Sequence, residues 1–158
     1  MPFTVLLVCT GNTCRSAMAE GILRSLLPEQ HRTAVRVESA GTAGLSGAPA
    51  TAHARDVCAE HGVDIRAHES RALTPGVLAG ADLVIAMTRA HRAQIGAFLP
   101  GASRRTHLLS ELAREGEVDV PDPIGAPREE YERTFAMLDR LLRKSLGEIV
   151  RLAGEERQ

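Results

Sequence analysis

The sequence contains no tryptophan, one tyrosine and three phenylalanines among its 158 residues. A surface that stacks nucleic-acid bases therefore has few aromatic side chains to build from. The 19 lysine and arginine residues and the 20 aspartate and glutamate residues give a formal net charge of -1, which argues against binding to a polyanion. We therefore expect no nucleic-acid partner.

Long apolar runs are also missing, since none approaches the roughly 20 residues that a helix needs to cross a bilayer. The N-terminus lacks the basic start and the apolar stretch of a signal peptide. We therefore predict a cytoplasmic protein that does not contact a membrane. The composition favours no particular oligomeric state.

Cysteine is scarce, and Cys9, Cys14 and Cys58 are too few for a disulfide scaffold. Their chemistry as thiols is therefore the relevant question, although Cys58 is equally well explained as a small buried apolar residue. Five histidines show no metal-ligand spacing and are expected at the surface or at helix ends: His31, His53, His61, His91 and His107. We predict no metal ion and no cofactor.

Strand-like and helix-like segments alternate along the chain. Buried-strand patterns cover residues 3–8, 34–39, 81–87 and 106–109, and helical patterns cover residues 16–27, 50–61, 88–98 and 128–152. Thr88 is expected to cap the third helix, and residues 40–49 and 114–128 have the composition of loops. The alternation predicts an α/β fold, a single domain with a doubly wound four-stranded parallel sheet and helices on both faces. We expect this domain to cover residues 1–154 and a charged C-terminal end to cover residues 155–158.

The turn after the first strand is the expected place for a site, because sites in such sheets lie at the carboxyl ends of the strands. It reads Cys9-Thr10-Gly11-Asn12-Thr13-Cys14-Arg15-Ser16. A short loop that enters a helix N-terminus points several backbone N–H groups inward, and the helix dipole adds positive potential. The turn is therefore predicted to form a concave cradle for a phosphate or another tetrahedral oxyanion.

Two side chains of this cradle carry the chemistry. The Arg15 guanidinium can hold two oxygens of the anion in a bidentate fork. Cys9 lies at the base of the cradle, where the positive field favours a thiolate over a thiol. A thiolate that faces a bound phosphoryl group is a nucleophile. The pattern therefore predicts in-line attack on phosphorus and a cysteinyl-phosphate that water hydrolyses.

The leaving group of such a reaction needs a proton. Asp122 is the best candidate donor, because a proline on each side stiffens the loop that presents it. Asp119 is a competing acid. On spacing alone, an ordinary turn aspartate is the alternative interpretation of Asp122.

The cradle and three segments beyond it together resemble the low-molecular-weight protein-tyrosine phosphatase family. The segments are Ser39-Ala40-Gly41-Thr42, His68-Glu69-Ser70-Arg71 and Asp122-Pro123, and the similarity covers nearly the whole chain. The resemblance implies phosphorylated protein substrates. It also implies that Cys9 is the nucleophile, that Arg15 binds phosphate and that Asp122 is the general acid and then the base.

The resemblance extends to the rest of the cradle. It implies that phosphate is bound by the loop residues Thr10, Gly11, Asn12, Thr13, Cys14 and Ser16. Asn12 and Ser16 would support the loop and help to stabilise the thiolate. Ser39 and His68 match positions that hydrogen-bond to Asn12.

Cys14 has two interpretations. As a second thiol of the cradle it would trap an oxidised Cys9 as a disulfide and so prevent irreversible oxidation. The alternative is a small residue packed behind the loop. The family resemblance favours the protective redox role.

The residues expected around the substrate depart from the tyrosine-specific pattern. Relatives that take phosphotyrosine usually carry Ile or Leu where Thr13 stands, and aromatic residues after the Asp-Pro pair, where this chain has Ile124-Gly125. The cradle motif resembles most closely the protein-arginine phosphatase branch, in which the Thr discriminates. We therefore predict a phosphatase for phosphoarginine in proteins, with phosphotyrosine as the alternative.

Two further functions are weaker alternatives. A thioredoxin-coupled arsenate reductase uses the same cradle, but it needs two more thiols in a mobile segment, and Cys58 is the one cysteine left outside the cradle. A non-catalytic phosphopeptide-binding module is disfavoured by the joint presence of Cys9, Arg15 and Asp122, because binding alone needs no nucleophile.

Overall fold

The computed structural model describes residues 1–155 of the chain. Four strands alternate with helices in this part of the molecule. The strands are β1 (Phe3–Cys9), β2 (Val35–Gly41), β3 (Leu83–Ala86) and β4 (Thr106–Leu108). The helices are α1 (Arg15–Leu26), α2 (Ala52–Glu60), α3 (Pro75–Ala79), α4 (Arg89–Phe98), α5 (Leu109–Leu112) and α6 (Arg128–Glu155), with 3₁₀ turns at Glu29–His31 and Pro100–Arg105.

The strands form one parallel sheet in the order β2-β1-β3-β4. All seven residues of β1 are buried, as expected for a central strand that is covered on both faces. The chain leaves β1 toward β2 on one side and later returns to β3 on the other. The end of β1 is therefore the switch point of the sheet, where ligands bind in doubly wound folds.

Side chains that alternate along β1 supply two separate cores. Leu7 faces a core built with α1, α2, α5 and α6, whereas Leu6 faces a second core built with α3 and α4. Helices therefore cover both faces of the sheet. The predicted fold, a single α/β domain with a doubly wound four-stranded parallel sheet, is confirmed.

Helix α6 follows the periodicity that its sequence predicts and is the longest helix described. Its buried residues recur at helical spacing and pack against α1 and α2: Tyr131, Phe135, Leu138, Leu142 and Ile149. The helix runs to Glu155, three residues beyond the predicted end at Leu152. The remainder of the predicted charged end, residues 156–158, lies outside the described residues.

Several local predictions hold and others need correction. Thr88 caps α4, since its hydroxyl accepts the backbone N–H of His91 at 3.1 Å. The predicted loop from residue 40 is wrong at its start, because Ala40 and Gly41 continue β2 and pair with Val8 and Cys9. The short helices α3 and α5 were not expected from the pattern. No helix within residues 1–155 is long and apolar enough to cross a membrane.

Candidate active site

The cradle predicted from the sequence lies between β1 and α1. Strand β1 ends at Cys9 and helix α1 begins at Arg15, so five residues make the connection. Cys14 is the N-cap of α1, yet within the described residues its side chain makes no capping hydrogen bond. The N–H groups of the first turn of α1 therefore lack the usual side-chain acceptor, which suits them to an anion.

Asn12 sets the shape of the loop. Its φ of 60° is a left-handed conformation that asparagine tolerates better than most residues. The side chain is fully buried. Its amide nitrogen donates to Ser16 Oγ at 2.8 Å and to Ser39 Oγ at 2.9 Å, and its Oδ1 accepts the Arg71 backbone N–H at 2.9 Å. The loop conformation is thus fixed by two serine side chains and one backbone N–H, which come from three separate parts of the chain.

The thiol of Cys9 faces a hydroxyl donor. Cys9 is 2% exposed, and its Sγ lies 2.9 Å from Ser16 Oγ. Because Ser16 Oγ already accepts from Asn12, its own hydrogen is available to the sulfur. Ser39 continues the network by donating to Glu20 at 2.7 Å. A hydroxyl that donates to sulfur stabilises the thiolate form.

His68 supports the same loop through the backbone. Its Nε2 lies 2.7 Å from the Asn12 carbonyl oxygen. Since a carbonyl can only accept, the proton must be on Nε2. The structure therefore brings both Ser39 and His68 into contact with Asn12, at the positions that the family resemblance implies.

Arg15 is almost wholly buried, at 5% exposure. One terminal nitrogen donates to the Val120 carbonyl at 3.0 Å. The other donates to Thr10 Oγ1 at 3.3 Å and lies 3.4 Å from Asp122 Oδ2. Its Nε is buried and has no hydrogen-bond partner within residues 1–155. A buried guanidinium N–H without an acceptor is costly, and an oxyanion in the cradle would remove that cost.

The two candidate acids point to different partners. Asp122 has a side chain that is 40% exposed, and one of its oxygens faces Arg15. Asp119 instead accepts from the Arg89 backbone at 2.9 Å and from its guanidinium at 3.3 Å. These bonds lower the pKa of Asp119, the backbone bond most. Asp119 therefore fastens the loop to α4, and Asp122 is the acid that contacts the cradle.

Cys14 contacts two hydroxyl groups, and the sequence alone did not predict these contacts. Its Sγ is 3.5 Å from both Thr51 Oγ1 and the Tyr131 hydroxyl. Burial raises the pKa of Tyr131, and its hydrogen bond with Cys14 raises it further. Tyr131 is only 2% exposed, so its ring is part of the core.

His91 was expected at the surface or at a helix end, and the structure places it at a helix end and not at the surface. It lies in the first turn of α4 but is 3% exposed. Its Nε2 is 2.8 Å from Thr10 Oγ1. Burial, and to a smaller extent the charge of Arg15, lower the pKa of His91 to about 4. The capping threonine three residues earlier was a signal for its position, but not for its contact with the cradle.

Gly41 is a second residue whose role depends on tertiary contact. A Cβ at this position would collide with the Thr10 carbonyl oxygen and lie 3.0 Å from the Asn12 nitrogen. The next residues also bond to the cradle: Thr42 donates to the Cys9 carbonyl and Ala43 to the Thr10 carbonyl, both at 2.9 Å. Glycine is therefore needed where the end of β2 approaches the loop.

Two other features bear on the chemistry of the described residues, namely possible metal ligands and the third cysteine. Within residues 1–155, no group of three or more histidine, cysteine or acidic residues could hold a metal ion. Cys58 is fully buried in α2. Burial raises the pKa of Cys58 to about 12, which keeps it a neutral thiol.

The chain was compared with known protein families. Residues 4–155 match the family model described as low molecular weight phosphotyrosine protein phosphatase. The chain belongs to this family. It is thus a cysteine-based phosphatase of the low-molecular-weight type, whose members act on phosphorylated proteins.

Relatives with two different substrate names are similar to this chain. Low molecular weight protein-tyrosine-phosphatase Etp of Escherichia coli K12 is 39% identical over 137 residues, which cover 87% of this chain and 88% of Etp. The protein-arginine-phosphatase of Geobacillus stearothermophilus is 36% identical over 148 residues, which cover 91% of this chain and 97% of the relative.

The solved structures that are similar to this chain also include both arginine and tyrosine phosphatases. The YwlE arginine phosphatase from Geobacillus stearothermophilus superposes with a TM-score of 0.86 at 34% identity. The superposition covers 99% of this chain and 98% of the YwlE chain. The low molecular weight protein tyrosine phosphatase from T. tengcongensis superposes with a TM-score of 0.83 at 36% identity, with coverages of 92% and 99%. Fold and family therefore agree, and the phosphorylated side chain is a separate question.

Proposed function

We propose that residues 1–154 act as one metal-independent phosphatase domain that forms a cysteinyl-phosphate on Cys9. The observation that carries this proposal is the pairing of two buried groups in one cradle. The Cys9 sulfur faces the Ser16 hydroxyl, and the Arg15 Nε is buried without a partner among residues 1–155. An anionic nucleophile and an unpaired cationic donor together fit a phosphoryl group.

In the first step, the Cys9 thiolate attacks phosphorus in line with the leaving group, so that an S–P bond forms as the P–N or P–O bond breaks. The electron pair of the broken bond goes to the leaving nitrogen or oxygen, which takes a proton from Asp122. Arg15 and the amides of the loop stabilise the charge on the phosphoryl oxygens.

In the second step, water attacks the phosphorus of the cysteinyl-phosphate and gives a proton to Asp122. The S–P bond breaks, inorganic phosphate leaves and the thiolate is restored. The 40% exposure of the Asp122 side chain suits a group that exchanges protons with the leaving group and with water. The cradle residues Thr10, Gly11, Asn12, Thr13, Cys14 and Ser16 would bind the phosphoryl oxygens.

We infer that the substrate is phosphoarginine in proteins. Thr13 is half-buried in the loop, so a polar hydroxyl stands where relatives specific for phosphotyrosine usually carry Ile or Leu. After the Asp-Pro pair, Ile124 is 59% exposed and Gly125 has no side chain to build a wall. The one tyrosine of the chain is buried against Cys14. A planar polar guanidine suits such a site better than a phenyl ring, which favours apolar and aromatic walls.

Phosphotyrosine is the second candidate, and the 39% identity to Etp favours it. A direct comparison of kcat/KM for phosphoarginine and phosphotyrosine in one peptide context tests the choice. We expect a ratio in favour of phosphoarginine, and Thr13→Ile should shift that ratio toward phosphotyrosine. A ratio that Thr13→Ile leaves unchanged would remove Thr13 as the discriminating residue.

Arsenate reduction is a weaker candidate because of Cys58. A reductase passes a disulfide between reactive cysteines, and burial in α2 makes Cys58 unsuitable as a second thiol. We propose instead that Cys14 protects Cys9 from irreversible oxidation. Once a peroxide has oxidised Cys9 to a sulfenic acid, the Cys14 thiol attacks that sulfur, water leaves and a disulfide forms. We further propose that the enzyme acts in the cytoplasm, where thiols are kept reduced.

A further inference from the structure

Three polar side chains form a line that leads from Arg15 into the start of α4. Thr10 Oγ1 accepts from Arg15 at 3.3 Å and lies 2.8 Å from His91 Nε2. The other ring nitrogen, Nδ1, lies 3.0 Å from Thr88 Oγ1. Thr88 also accepts the backbone N–H of His91 at 3.1 Å. Both nitrogens of the buried ring are therefore occupied, and the orientation of the ring is fixed.

The imidazole of His91 is neutral at ordinary pH. Burial, and to a smaller extent the charge of Arg15, lower the pKa of His91 to about 4, although Asp122 and Asp119 act in the opposite direction. A protonated ring would place a second positive charge near Arg15. A neutral ring instead hydrogen-bonds to Thr10 without opposing the guanidinium.

The guanidinium of Arg15 has few anchors apart from this line. The Val120 carbonyl holds one terminal nitrogen, and Thr10 and the half-exposed Asp122 hold the other. Thr10 is an exposed residue, and its hydroxyl contacts two buried side chains, Arg15 and His91. The contact with His91 restricts the positions that this hydroxyl can take when it meets the guanidinium.

We propose that His91 is a positioning residue, which fixes the Thr10 hydroxyl so that Thr10 orients the Arg15 guanidinium toward a bound oxyanion. This inference rests on the proposed function, because it concerns the same phosphate cradle. His91 does not touch the reacting atoms, and its effect reaches them through Thr10 and Arg15. A guanidinium that is held in place loses less freedom when the anion binds.

Two substitutions of His91 test the contacts of its two ring nitrogens one at a time. In His91→Asn, the short amide lies near the position of Nδ1, so it keeps the contact with Thr88 but does not reach Thr10. In His91→Gln, the longer amide reaches the position of Nε2 and can hydrogen-bond to Thr10. Both variants remain polar and similar in size, so each controls for the other.

Inorganic phosphate is the probe, and calorimetry measures its Kd without turnover. We expect His91→Asn to weaken phosphate binding by about fivefold, the usual effect of one lost hydrogen bond. We expect kcat/KM for a phosphorylated peptide to fall by a similar factor. His91→Gln should restore most of both quantities.

A double-mutant cycle tests the route through Thr10. Thr10→Val removes the hydroxyl while keeping the shape of the side chain, and it should weaken phosphate binding by about the same factor as His91→Asn. The double variant should be no weaker than either single variant. If His91→Asn does not fold, Thr10→Val and His91→Gln still test the proposal, because only the first should weaken phosphate binding.

Three results would overturn the positioning role: unchanged phosphate affinity in His91→Asn, equal losses in the Asn and Gln variants, or additive losses in the double variant. These failures differ from a failure of the proposed function. A wild-type protein that binds phosphate but hydrolyses no phosphopeptide would contradict the proposed function, and its phosphate affinities would still decide the role of His91.

Discussion

Cys9 and Cys58 are both buried thiols, with exposures of 2% and 0%, but their surroundings differ completely. Cys9 ends a strand at the switch point of the sheet, and its sulfur faces the Ser16 hydroxyl. Cys58 lies in α2 within the core, where burial raises its pKa to about 12. Because the proposed mechanism makes Cys9 the nucleophile, we expect the polar groups that meet the sulfur, and not burial alone, to decide the reactivity of a thiol.

Substitution of each cysteine tests this contrast most directly. Cys9→Ser should reduce kcat/KM by about four orders of magnitude or more, because a serine hydroxyl does not ionise in its place, while phosphate still binds. Cys58→Ala should leave kcat/KM unchanged and lower the free energy of unfolding by about 1 kcal/mol, because it leaves a small cavity. Phosphopeptide kinetics and urea unfolding measure the two effects. Substantial turnover by Cys9→Ser would refute the nucleophile assignment.

Alkylation compares the two thiols within one molecule. We expect iodoacetamide to modify Cys9 about 100-fold faster than Cys58 near neutral pH, because only the thiolate reacts. Inorganic phosphate should protect Cys9 by occupying the cradle. Peptide mapping by mass spectrometry measures both rates, and earlier modification of Cys58 would reverse the comparison.

Distortion of the cradle should make Cys9 less distinct from Cys58. Gly41→Ala places a methyl group against the Thr10 carbonyl and the Asn12 nitrogen, so we expect kcat/KM to fall by about tenfold to 100-fold and the alkylation of Cys9 to slow. Gly147→Ala in α6 is the matched control, since a Cβ there meets no atom of the described residues within 4 Å. Equal activity of the two variants would show that the approach of β2 does not shape the cradle.

Burial lowers the pKa of His91 but raises that of Cys58. In both cases it disfavours the charged form, which is the protonated imidazole of His91 and the thiolate of Cys58. The unfolded chain binds a proton near the ordinary pKa of 6.5, whereas the folded protein binds it only near 4. Stability should therefore fall as the pH decreases from about 6.5 to about 4, by up to about 3 kcal/mol from this group.

His91→Gln isolates this contribution, because the amide does not titrate in this range. The stability of wild type relative to His91→Gln should decrease between pH 7 and pH 4.5, as measured by urea unfolding at each pH. The charged groups that act on His91 are Arg15, Asp122 and Asp119, and they are present in both wild type and His91→Gln. A constant difference between the two proteins would contradict the lowered pKa.

Much of the fold could be predicted because its signals are local. The run from Phe3 to Val8 is apolar without alternation, as a strand covered on both faces requires. The spacing of Tyr131, Phe135 and Leu138 marks the buried face of α6. The end of β2 was less predictable, because Gly41 extends the strand by pairing with Cys9 and bridging to Ala72. Such pairing depends on partners distant in the chain.

The residues of the site can also be divided into those that a local pattern predicts and those that depend on distant contacts. The cradle is continuous in sequence, so the order of its residues was sufficient to predict Cys9 and Arg15 as neighbours on one loop. His91 lies 81 residues from its contact Thr10, and Tyr131 lies 117 residues from Cys14. Each of these contacts exists only after the sheet and α6 have assembled, and no local pattern encodes it.

The uncapped start of α1 links ligand binding to thermal stability. Cys14 supplies no side-chain acceptor within the described residues, so an oxyanion would complete the helix in place of a serine or aspartate. Any anion that binds the folded form alone stabilises it by RT ln(1 + [L]/Kd). The melting temperature should therefore rise with the phosphate concentration of the buffer, and an unfolding curve becomes a measure of affinity even for ligands that are never turned over.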